Sequence, residues 1–307
     1  MSVHSNQADG PSPTNQVSAL STATKGTFIS DQPGTLYVVA TPIGNLADVS
    51  DRMRHILSSV SKIAAEDTRR TKHLLSHIGI DTPCFSFHDH NERQKQEWLV
   101  QLLQAGESIA LVSDAGTPLI SDPGFPLVRE LRKKNMNIVA VPGPCALIAA
   151  LSIAGLPSDR FVFEGFLPAK SGARLQQLER IATETATSII YESSHRVKAC
   201  LADMKTALGG QRRVVLAREL TKTFETVLDG EVDELILLLD SDPNQSKGEF
   251  VLMISGASKN KDELSCQAKI LAIKLVEHLP KKQVAKLVAE TFEEKRNAIY
   301  QFLLEQT

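Results

Sequence analysis

The segment LVSDAGTPLISDPG, from Leu111 to Gly124, constrains the fold of this chain more than any other part of its sequence. A short apolar run ends there in a loop that holds two glycines, two prolines and two aspartates. Glycine permits positive φ and a close approach to a ligand, whereas proline fixes φ and removes an N–H donor. The loop is therefore predicted to be rigid and to present its backbone peptide groups to a ligand. Such a surface suits a small molecule better than a macromolecule.

Two further junctions have the same character. The segments YVVATPIGN (37–45) and IVAVPGPCA (138–146) are β-branched runs that end in proline and glycine before a helical pattern. Because the carboxyl ends of parallel strands meet at one edge of a sheet, the three junctions predict one shared site at that edge.

The periodicity of the chain predicts two α/β domains and a helical end. Residues 1–33 are rich in Ser, Thr, Asn, Gln, Gly and Pro and predict a disordered tail. Strands and helices alternate over 34–157, which predicts an N-terminal α/β domain. Residues 158–257 predict a C-terminal α/β domain with a mixed sheet, because short turns separate several of its strands. Residues 258–307 read as a small helix-turn-helix-like module.

Charge and cysteine content narrow the class of protein. The net charge of −2 gives no global attraction to nucleic acid, so such binding needs a local patch. The four cysteines lie more than fifty residues apart, which predicts reduced thiols in a cytoplasmic protein. The charge-free run 135–158 has the length of a membrane span, but Pro142-Gly143-Pro144 interrupts it. We expect a buried strand, a turn and a core helix there, and no membrane association.

Motif spacing argues against several cofactors. The chain has neither a G-x-G-x-x-G after its first strand nor a G-x-x-x-x-G-K-[ST], which disfavours dinucleotide and nucleoside triphosphate chemistry. Two histidines flank an aspartate in FHDHNE (87–92), either as metal ligands or as part of a polar loop. We favour the polar loop and predict no metal.

Further polar clusters stand beside predicted strand ends. They are EDTR (66–69), Asp114, YESSHR (191–196) and RELTK (218–222). Each is open to two interpretations. Their shared position favours one active site, whereas helix N-caps at Asp67 and Ser193 and surface ion pairs are the structural alternative.

Taken together, these segments resemble a known family. Those that carry the resemblance are ATPIGNLADVS, AAEDTRRT, FHDHNE, LVSDAGTPLISDPG, VPGPCALIAALSIAGLPSDRF, EGFLPAK, YESSHR and ARELTKTFE. They are similar to the small-subunit ribosomal RNA methyltransferase I family, a 2′-O-methylating branch of the tetrapyrrole methylase superfamily, over about residues 34–307. The resemblance implies a two-domain class III methyltransferase fold, a homodimer, and S-adenosylmethionine bound between the domains. It also implies methylation of the ribose of a cytidine in the decoding region of 16S rRNA, within the 30S subunit.

Carried over by position, the resemblance implies a set of cofactor contacts. Thr117 occupies the position where the superfamily has aspartate, although Asp114 lies nearby. Cys145-Ala146 occupies the position of a Thr-Ser pair. Backbone groups would have to replace the hydroxyl contacts that this pair would make. The three Gly/Pro loops carry no Lys or Arg, which suits a cationic sulfonium. The implied contacts are Pro42, Gly44, Asp114, Gly116, Thr117, Ile120, Cys145, Ala146, Glu192, Glu219, Leu220 and Gly248.

Methyl transfer to a ribose hydroxyl also needs a group that relieves the oxygen of its proton. The candidates are Glu66, Asp67, His88, Asp114 and Glu192, together with His90 and Asp122, and the sequence does not choose among them.

RNA contacts are expected at basic residues. Residues 158–223 carry 11 Lys and Arg against 7 Asp and Glu, a local surplus of +4. Arginines can bind phosphate bidentately, although structural ion pairing is the alternative for each one. The basic residues of the helical module are expected to bind the RNA backbone. The alternative is that the helices serve packing or dimer support and that their lysines are only solvated. The candidates are Arg69, Arg196, Arg218, Lys281, Lys282, Lys295 and Arg296.

Two other functions remain open from the residues alone. One is a small-molecule methylase that acts on a precorrin or uroporphyrinogen. The other is a non-catalytic RNA-binding or ribosome-assembly protein, whose Gly/Pro loops would be ordinary tight turns.

Overall fold

A parallel five-stranded sheet organises the first half of the molecule. The computed structural model describes residues 33–258, 264, 266–292 and 294–305. The strands run in the order β3-β2-β4-β1-β5, and every pairing is parallel. They are β1 (Thr35–Val39), β2 (Lys62–Ala65), β3 (Cys84–Ser86), β4 (Ile109–Val112) and β5 (Asn137–Val141), and the helices of this half are α1 (Asp51–Ser59), α2 (Thr68–His77), α3 (Glu92–Gln104), α4 (Phe125–Lys133) and α5 (Ala146–Ile153).

Helices cover both faces of this sheet. Successive side chains of a strand point to opposite faces, so each central strand supplies two cores. Leu36 and Leu111 pack with α3 and α4 on one face. Val39 and Ala110 pack with α1 and α2 on the other. The sequence shows this double burial as nearly continuous apolar runs.

The second half is built on a mixed sheet in the order β6-β7-β10-β8-β9. The pair β6 and β7 is parallel, and the remaining pairs are antiparallel. Three helices pack on one face around Ile190, Leu216 and Leu252. The strands are β6 (Phe161–Phe166), β7 (Thr187–Ser193), β8 (Arg213–Arg218), β9 (Thr226–Glu231) and β10 (Glu249–Ile254), and the helices are α6 (Ser171–Ala182), α7 (Val197–Leu208) and α8 (Val232–Ser241).

Helix α5 joins the two halves. It follows the last strand of the first sheet, yet Leu147 and Leu151 pack in a core with Ile189, Val215 and Val251 of the second sheet. The carboxyl edge of the first sheet is thereby fixed against the uncovered face of the second.

Three C-terminal helices form a separate core. These are α9 (Cys266–Val276), α10 (Lys281–Phe292) and α11 (Arg296–Glu305). Ala268, Val284, Val288, Ile299 and Leu303 are buried among them. Throughout the described ranges, no helix is both long and apolar enough to span a bilayer.

The α/β architecture, the parallel first sheet and the mixed second sheet confirm the predicted fold class. Two local predictions are wrong. Strand β3 is absent from the sequence interpretation, and β5 is not buried, because it lies at the sheet edge and only Val141 is fully covered. The predicted tail falls outside the described residues except for Pro33. The domain boundaries at 157 and 257 stay predictions.

Candidate active site

The three Gly/Pro junctions meet at the carboxyl edge of the first sheet. Thr41 and Gly116 exchange backbone hydrogen bonds of 2.8 and 3.0 Å, which joins the loop after β1 to the loop after β4. The Thr117 hydroxyl donates to the Pro144 carbonyl at 3.0 Å, which joins the second loop to the third. The predicted convergence of these loops is confirmed.

The second sheet closes this edge into a cavity of about 330 Å³. The Leu147 N–H donates to the Tyr191 hydroxyl at 3.0 Å, and the Asn45 N–H donates to the Thr221 hydroxyl at 3.1 Å. The backbone around the cavity is strained. Four of the five described non-glycine residues with positive φ lie in its loops, namely Leu119, Ser121, Glu219 and Thr221. Such strain concentrates at ligand sites, where the surrounding contacts hold it in place.

Most of the residues expected to contact a cofactor line this cavity. Its walls come from both halves of the molecule, and Phe166 and Tyr191 add aromatic surface. The predicted residues among them are Asp114, Gly116, Thr117, Ile120, Cys145, Ala146, Glu192 and Leu220.

Four predicted contacts lie elsewhere. Pro42 lines an adjoining pocket. Gly44 and Glu219 contact Lys222, and Gly248 lies against Glu219. Lys222 belongs to the predicted RELTK cluster but not to the predicted cofactor contacts, and it does line the cavity. A Cβ at Gly44 would lie 2.5 Å from the Lys222 side chain, and one at Gly248 would lie 2.5 Å from that of Glu219. These residues therefore shape the wall without reaching the cavity.

The charge of the cavity is predominantly acidic. Its only described cations, Arg70 and Lys222, are both paired with carboxylates. Lys222 donates to Glu219 at 2.8 Å and to Glu249 at 2.9 Å, and Arg70 lies 3.4 Å from Asp114. The carboxylates that line the cavity are Glu66, Asp114, Asp122, Glu192 and Glu249. The cavity is thus suited to a cationic ligand.

Three of these carboxyl groups form a coupled cluster. The Asp114 N–H donates to Glu66 at 3.2 Å, and Asp114 accepts from the Asp67 N–H at 2.9 Å. Burial, with repulsion from Glu66, Asp114 and Asp89, raises the pKa of Asp122 to about 6. Burial also raises the pKa of Glu66. Asp122 therefore titrates closer to neutral pH than an ordinary aspartate does.

Glu192 presents a buried carboxylate oxygen to the cavity. The side chain is 1% exposed. One oxygen, Oε1, accepts from the Ser193 N–H at 2.8 Å and lies 3.2 Å from the Arg196 guanidinium. The other, Oε2, has no hydrogen-bond partner in the described part of the chain. Since a buried acceptor without a partner is costly, this oxygen marks a position where a ligand donor or cation would be stabilised.

Three of the expected catalytic residues, Asp67, His88 and His90, do not line the cavity. Asp67 caps helix α2 through the Arg69 N–H, and its hydrogen bonds with Arg69 lower its pKa to about 2, so the structural alternative describes it well. His88 bonds to Asn91 across 3.2 Å and contacts the His90 ring. Among the described residues, no group of three or more potential metal ligands occurs.

The expected RNA-binding arginines divide into two kinds. Arg69 is exposed beside the cavity, at 89% of its side-chain surface. Arg218 is 7% exposed and donates to the Lys247 and Phe224 carbonyls, and Arg196 donates to the Leu167 carbonyl. The guanidinium groups of Arg196 and Arg218 therefore have a structural role, since they bind backbone carbonyls within the second half of the molecule. The predicted residues in the helical module lie at the starts of α10 and α11, and they are Lys281, Lys282, Lys295 and Arg296.

Comparisons with known proteins agree with this architecture. Residues 35–236 match the family described as Tetrapyrrole (Corrin/Porphyrin) Methylases, and residues 267–307 match the RsmI C-terminal HTH domain. Among solved structures, a cobalt precorrin-4 methyltransferase has a TM-score of 0.57 at 14% identity, over 75% of this chain and 98% of that one. A uroporphyrin-III C-methyl transferase from Thermus thermophilus, complexed with S-adenyl homocysteine, has a TM-score of 0.50 at 14% identity, over 72% and 97%. These likenesses define a methyltransferase of the tetrapyrrole methylase class.

Sequence relatives narrow the class. A protein of Pasteurella multocida named ribosomal RNA small subunit methyltransferase I is 53% identical over 89% of this chain and 97% of its own length. Its namesake from Escherichia coli O157:H7 is 52% identical over 89% and 96%. The chain belongs to the ribosomal RNA small subunit methyltransferase I family.

Proposed function

We propose that this protein transfers a methyl group from S-adenosylmethionine to the ribose 2′ oxygen of a cytidine in the decoding region of 16S rRNA. The substrate would be the 30S subunit, which places the reaction in the cytoplasm. The free Oε2 of Glu192, buried in the wall of an acidic cavity between the two sheets, carries this proposal. Membership of the family supports the class of reaction and of substrate.

The residues of the cavity fit S-adenosylmethionine. Positive charge on the sulfonium suits a lining with five carboxylates and no unpaired described cation. The strained loops after β4 and β8 offer backbone donors and acceptors for the polar ends of the cofactor. When bound, the cofactor supplies an electrophilic methyl group. Glu192, Thr117 and Ala146 would be among the residues that hold it.

We assign the proton acceptor to Asp122. It lines the same cavity, and a pKa of about 6 lets its carboxylate predominate at neutral pH while it remains basic enough to take a proton. Asp114 would orient the acceptor, because hydrogen bonds from the Asp67 N–H and an ion pair with Arg70 fix its carboxylate. Glu66 holds the loop in turn by accepting from the Asp114 N–H.

The helical module is assigned to the RNA backbone. Lys281, Lys282 and Arg296 stand in the first turns of their helices, where the helix dipole disfavours cations. Their position is therefore unfavourable for the stability of the helices. It favours the binding of a phosphate group, because the helix N-terminus and the basic side chains attract the same anion. This observation favours an RNA substrate over a precorrin or uroporphyrinogen, which has no need of such a module.

We also propose a homodimer. Helix α5 leaves Ile148 and Ile153 52% and 51% exposed, although it packs its other face into the core. The edge strand β5 precedes it. A symmetric contact would cover apolar side chains that a monomer leaves in water, and light scattering on the purified protein would test for twice the chain mass.

Labelling tests the reaction. The purified protein is incubated with tritiated S-adenosylmethionine and 30S subunits from cells that lack this gene, and nuclease digestion locates the label. Label on the 2′ oxygen of one cytidine in the decoding region is the expected result. Cofactor binding without label on RNA would instead support the porphyrinoid methylase.

A further inference from the structure

A second pocket of about 540 Å³ adjoins the cofactor cavity. The two share Arg70 and Asp114 as a common wall. The pocket opens over the carboxyl edge of the first sheet, between the loop after β1, the start of α2 and the end of β4. Its lining is Thr41, Pro42, Leu46, Asp67, Arg69, Arg70, Thr71, His73, Leu74, Ser113 and Asp114.

One side of this pocket is basic and held in place. His73 is four residues from Arg69 and three from Arg70 on α2, so it is a helical neighbour of both arginines. Arg69 donates from Nε and Nη2 to Asp67 at 3.1 and 2.7 Å. That bidentate pair fixes the guanidinium plane, and it engages two of the five N–H donors that the side chain carries. The remaining donors make no hydrogen bond within the described ranges.

The other side of the pocket is apolar. Pro42 and Leu46, from the loop after β1, supply a wall without charge, and Leu74 adds apolar surface from α2 itself. A site that combines a fixed guanidinium group with an aliphatic surface is complementary to a ligand in which an anionic group is attached to a ring. A ribose with its phosphate has this composition.

We infer that this pocket binds the phosphate and sugar of the acceptor nucleotide, with Arg69 and Arg70 on the phosphate. The inference rests on the proposed function and extends it to a named subsite. The 2′ oxygen and the 3′ phosphate of a nucleotide are attached to adjacent carbons of the ribose. A 2′ oxygen placed in the cofactor cavity beside Asp114 therefore puts the 3′ phosphate at the wall that the two pockets share, where Arg70 lies.

Pairing with acidic residues is compatible with this role. Asp67 and Asp114 hold the two guanidinium groups before RNA arrives, so less side-chain entropy is lost when the phosphate binds. Arg69 is 89% exposed and Arg70 65%, which leaves both accessible to a ligand from outside.

Two arginine variants and one matched control test the inference. The variants are Arg69→Ala and Arg70→Ala, and the control is Lys72→Ala, which removes an exposed cation from the same helix but lines a different groove. Methylation kinetics are measured with undermethylated 30S subunits at several salt concentrations, and cofactor affinity is measured by calorimetry. Thermal unfolding checks that each variant is folded.

We expect each arginine variant to raise the KM for subunits about tenfold. Arg69→Ala should also leave the Kd for S-adenosylmethionine within twofold, because Arg69 does not line the cofactor cavity. The slope of log(kcat/KM) against log salt should fall by about one for each lost phosphate contact. Lys72→Ala should match the wild type. Arg69→Ala is the cleaner variant, because Arg69 pairs with Asp67 and not with a residue of the cofactor cavity.

Three outcomes would overturn the inference, and they are distinguishable. If both arginine variants keep the wild-type KM and salt slope while the wild type labels RNA, the pocket is not the subsite and the proposed function stands. If Arg69→Ala weakens cofactor binding as much as it raises KM, the pocket serves the cofactor. If the wild type binds the cofactor but labels no RNA, the proposed function fails and the inference fails with it.

Discussion

Glu192 has a free oxygen at a depth where polar atoms usually have partners. We expect Glu192→Gln to weaken binding of S-adenosylmethionine about tenfold, because the amide loses the negative charge while it keeps an acceptor for the Ser193 N–H. The melting temperature should change little. Calorimetry and thermal unfolding measure the two effects, and Glu164→Gln, outside the cavity and bonded to Gln177, serves as the control. Equal affinity in both variants would contradict a cofactor contact at Glu192.

Asp122 links activity and stability in opposite directions. Its pKa is raised to about 6 from an ordinary value near 4, so the folded state binds the proton more tightly than the unfolded state. The resulting stabilisation is present below pH 4 and is lost as the pH rises through 6. The proposed proton acceptor works in its deprotonated form, so turnover is expected to rise over the same interval.

Asp122→Asn should therefore be inactive and yet more stable than the wild type at pH 7.5. The raised pKa corresponds to about 3 kcal/mol, which solvent screening at the cavity reduces to about 1 kcal/mol. The gain should vanish near pH 4. Thermal unfolding at the two pH values measures it. An equally active variant would refute Asp122 as the base, and a variant less stable at pH 7.5 would contradict the raised pKa.

At the scale of the element, the loop after β4 acts as one unit. It is bonded to the loops after β1 and β5 through Gly116 and Thr117. We expect Thr117→Arg to abolish cofactor binding, because the side chain lines the cavity and would bring bulk and positive charge to the proposed sulfonium site. Thr117→Val removes only the hydrogen bond to Pro144 and should cost about 1 kcal/mol of stability. Unchanged calorimetric affinity in Thr117→Arg would show that the cofactor lies elsewhere.

The elements that the sequence identifies are those with a strong local signal. Buried parallel strands appear in the sequence as continuous apolar runs, and the glycines and prolines of the loops indicate their backbone conformation. The meeting of the three loops at the carboxyl edge of the first sheet is therefore predictable. Strand β3 has three residues, all half-buried, and offers no such pattern. The exposure of β5 depends on its place at the sheet edge, which local composition does not reveal.

The same limit applies to the charged side chains. Lys222 lines the cavity and donates a hydrogen bond to Glu219. Gly44 leaves room for the Lys222 side chain, and Gly248 leaves room for that of Glu219. These contacts join segments that are distant in the sequence. Arg218 and Arg69 look equivalent in sequence, since each lies at or near the carboxyl end of a strand. The fold buries Arg218 against two carbonyls and leaves Arg69 exposed. Burial, and not residue type, separates the structural arginine from the candidate RNA contact.

At the scale of the whole molecule, the parts have separate cores. The C-terminal helices pack around their own apolar residues, and the two sheets meet through α5. Every described residue that lines the cofactor cavity lies between Ile43 and Val251. Binding of the cofactor and recognition of RNA are therefore expected to be separable.

A chain that ends at Ser258 should bind S-adenosylmethionine within twofold of the full-length affinity. It should lose at least about tenfold in kcat/KM for 30S subunits, because the basic residues at the starts of α10 and α11 no longer contribute phosphate contacts. Calorimetry and the labelling assay measure the two quantities on the same preparation. Full activity of the shortened chain on subunits would assign the module to packing or to dimer support, whereas loss of cofactor binding would show that the helices sustain the fold of the cavity itself.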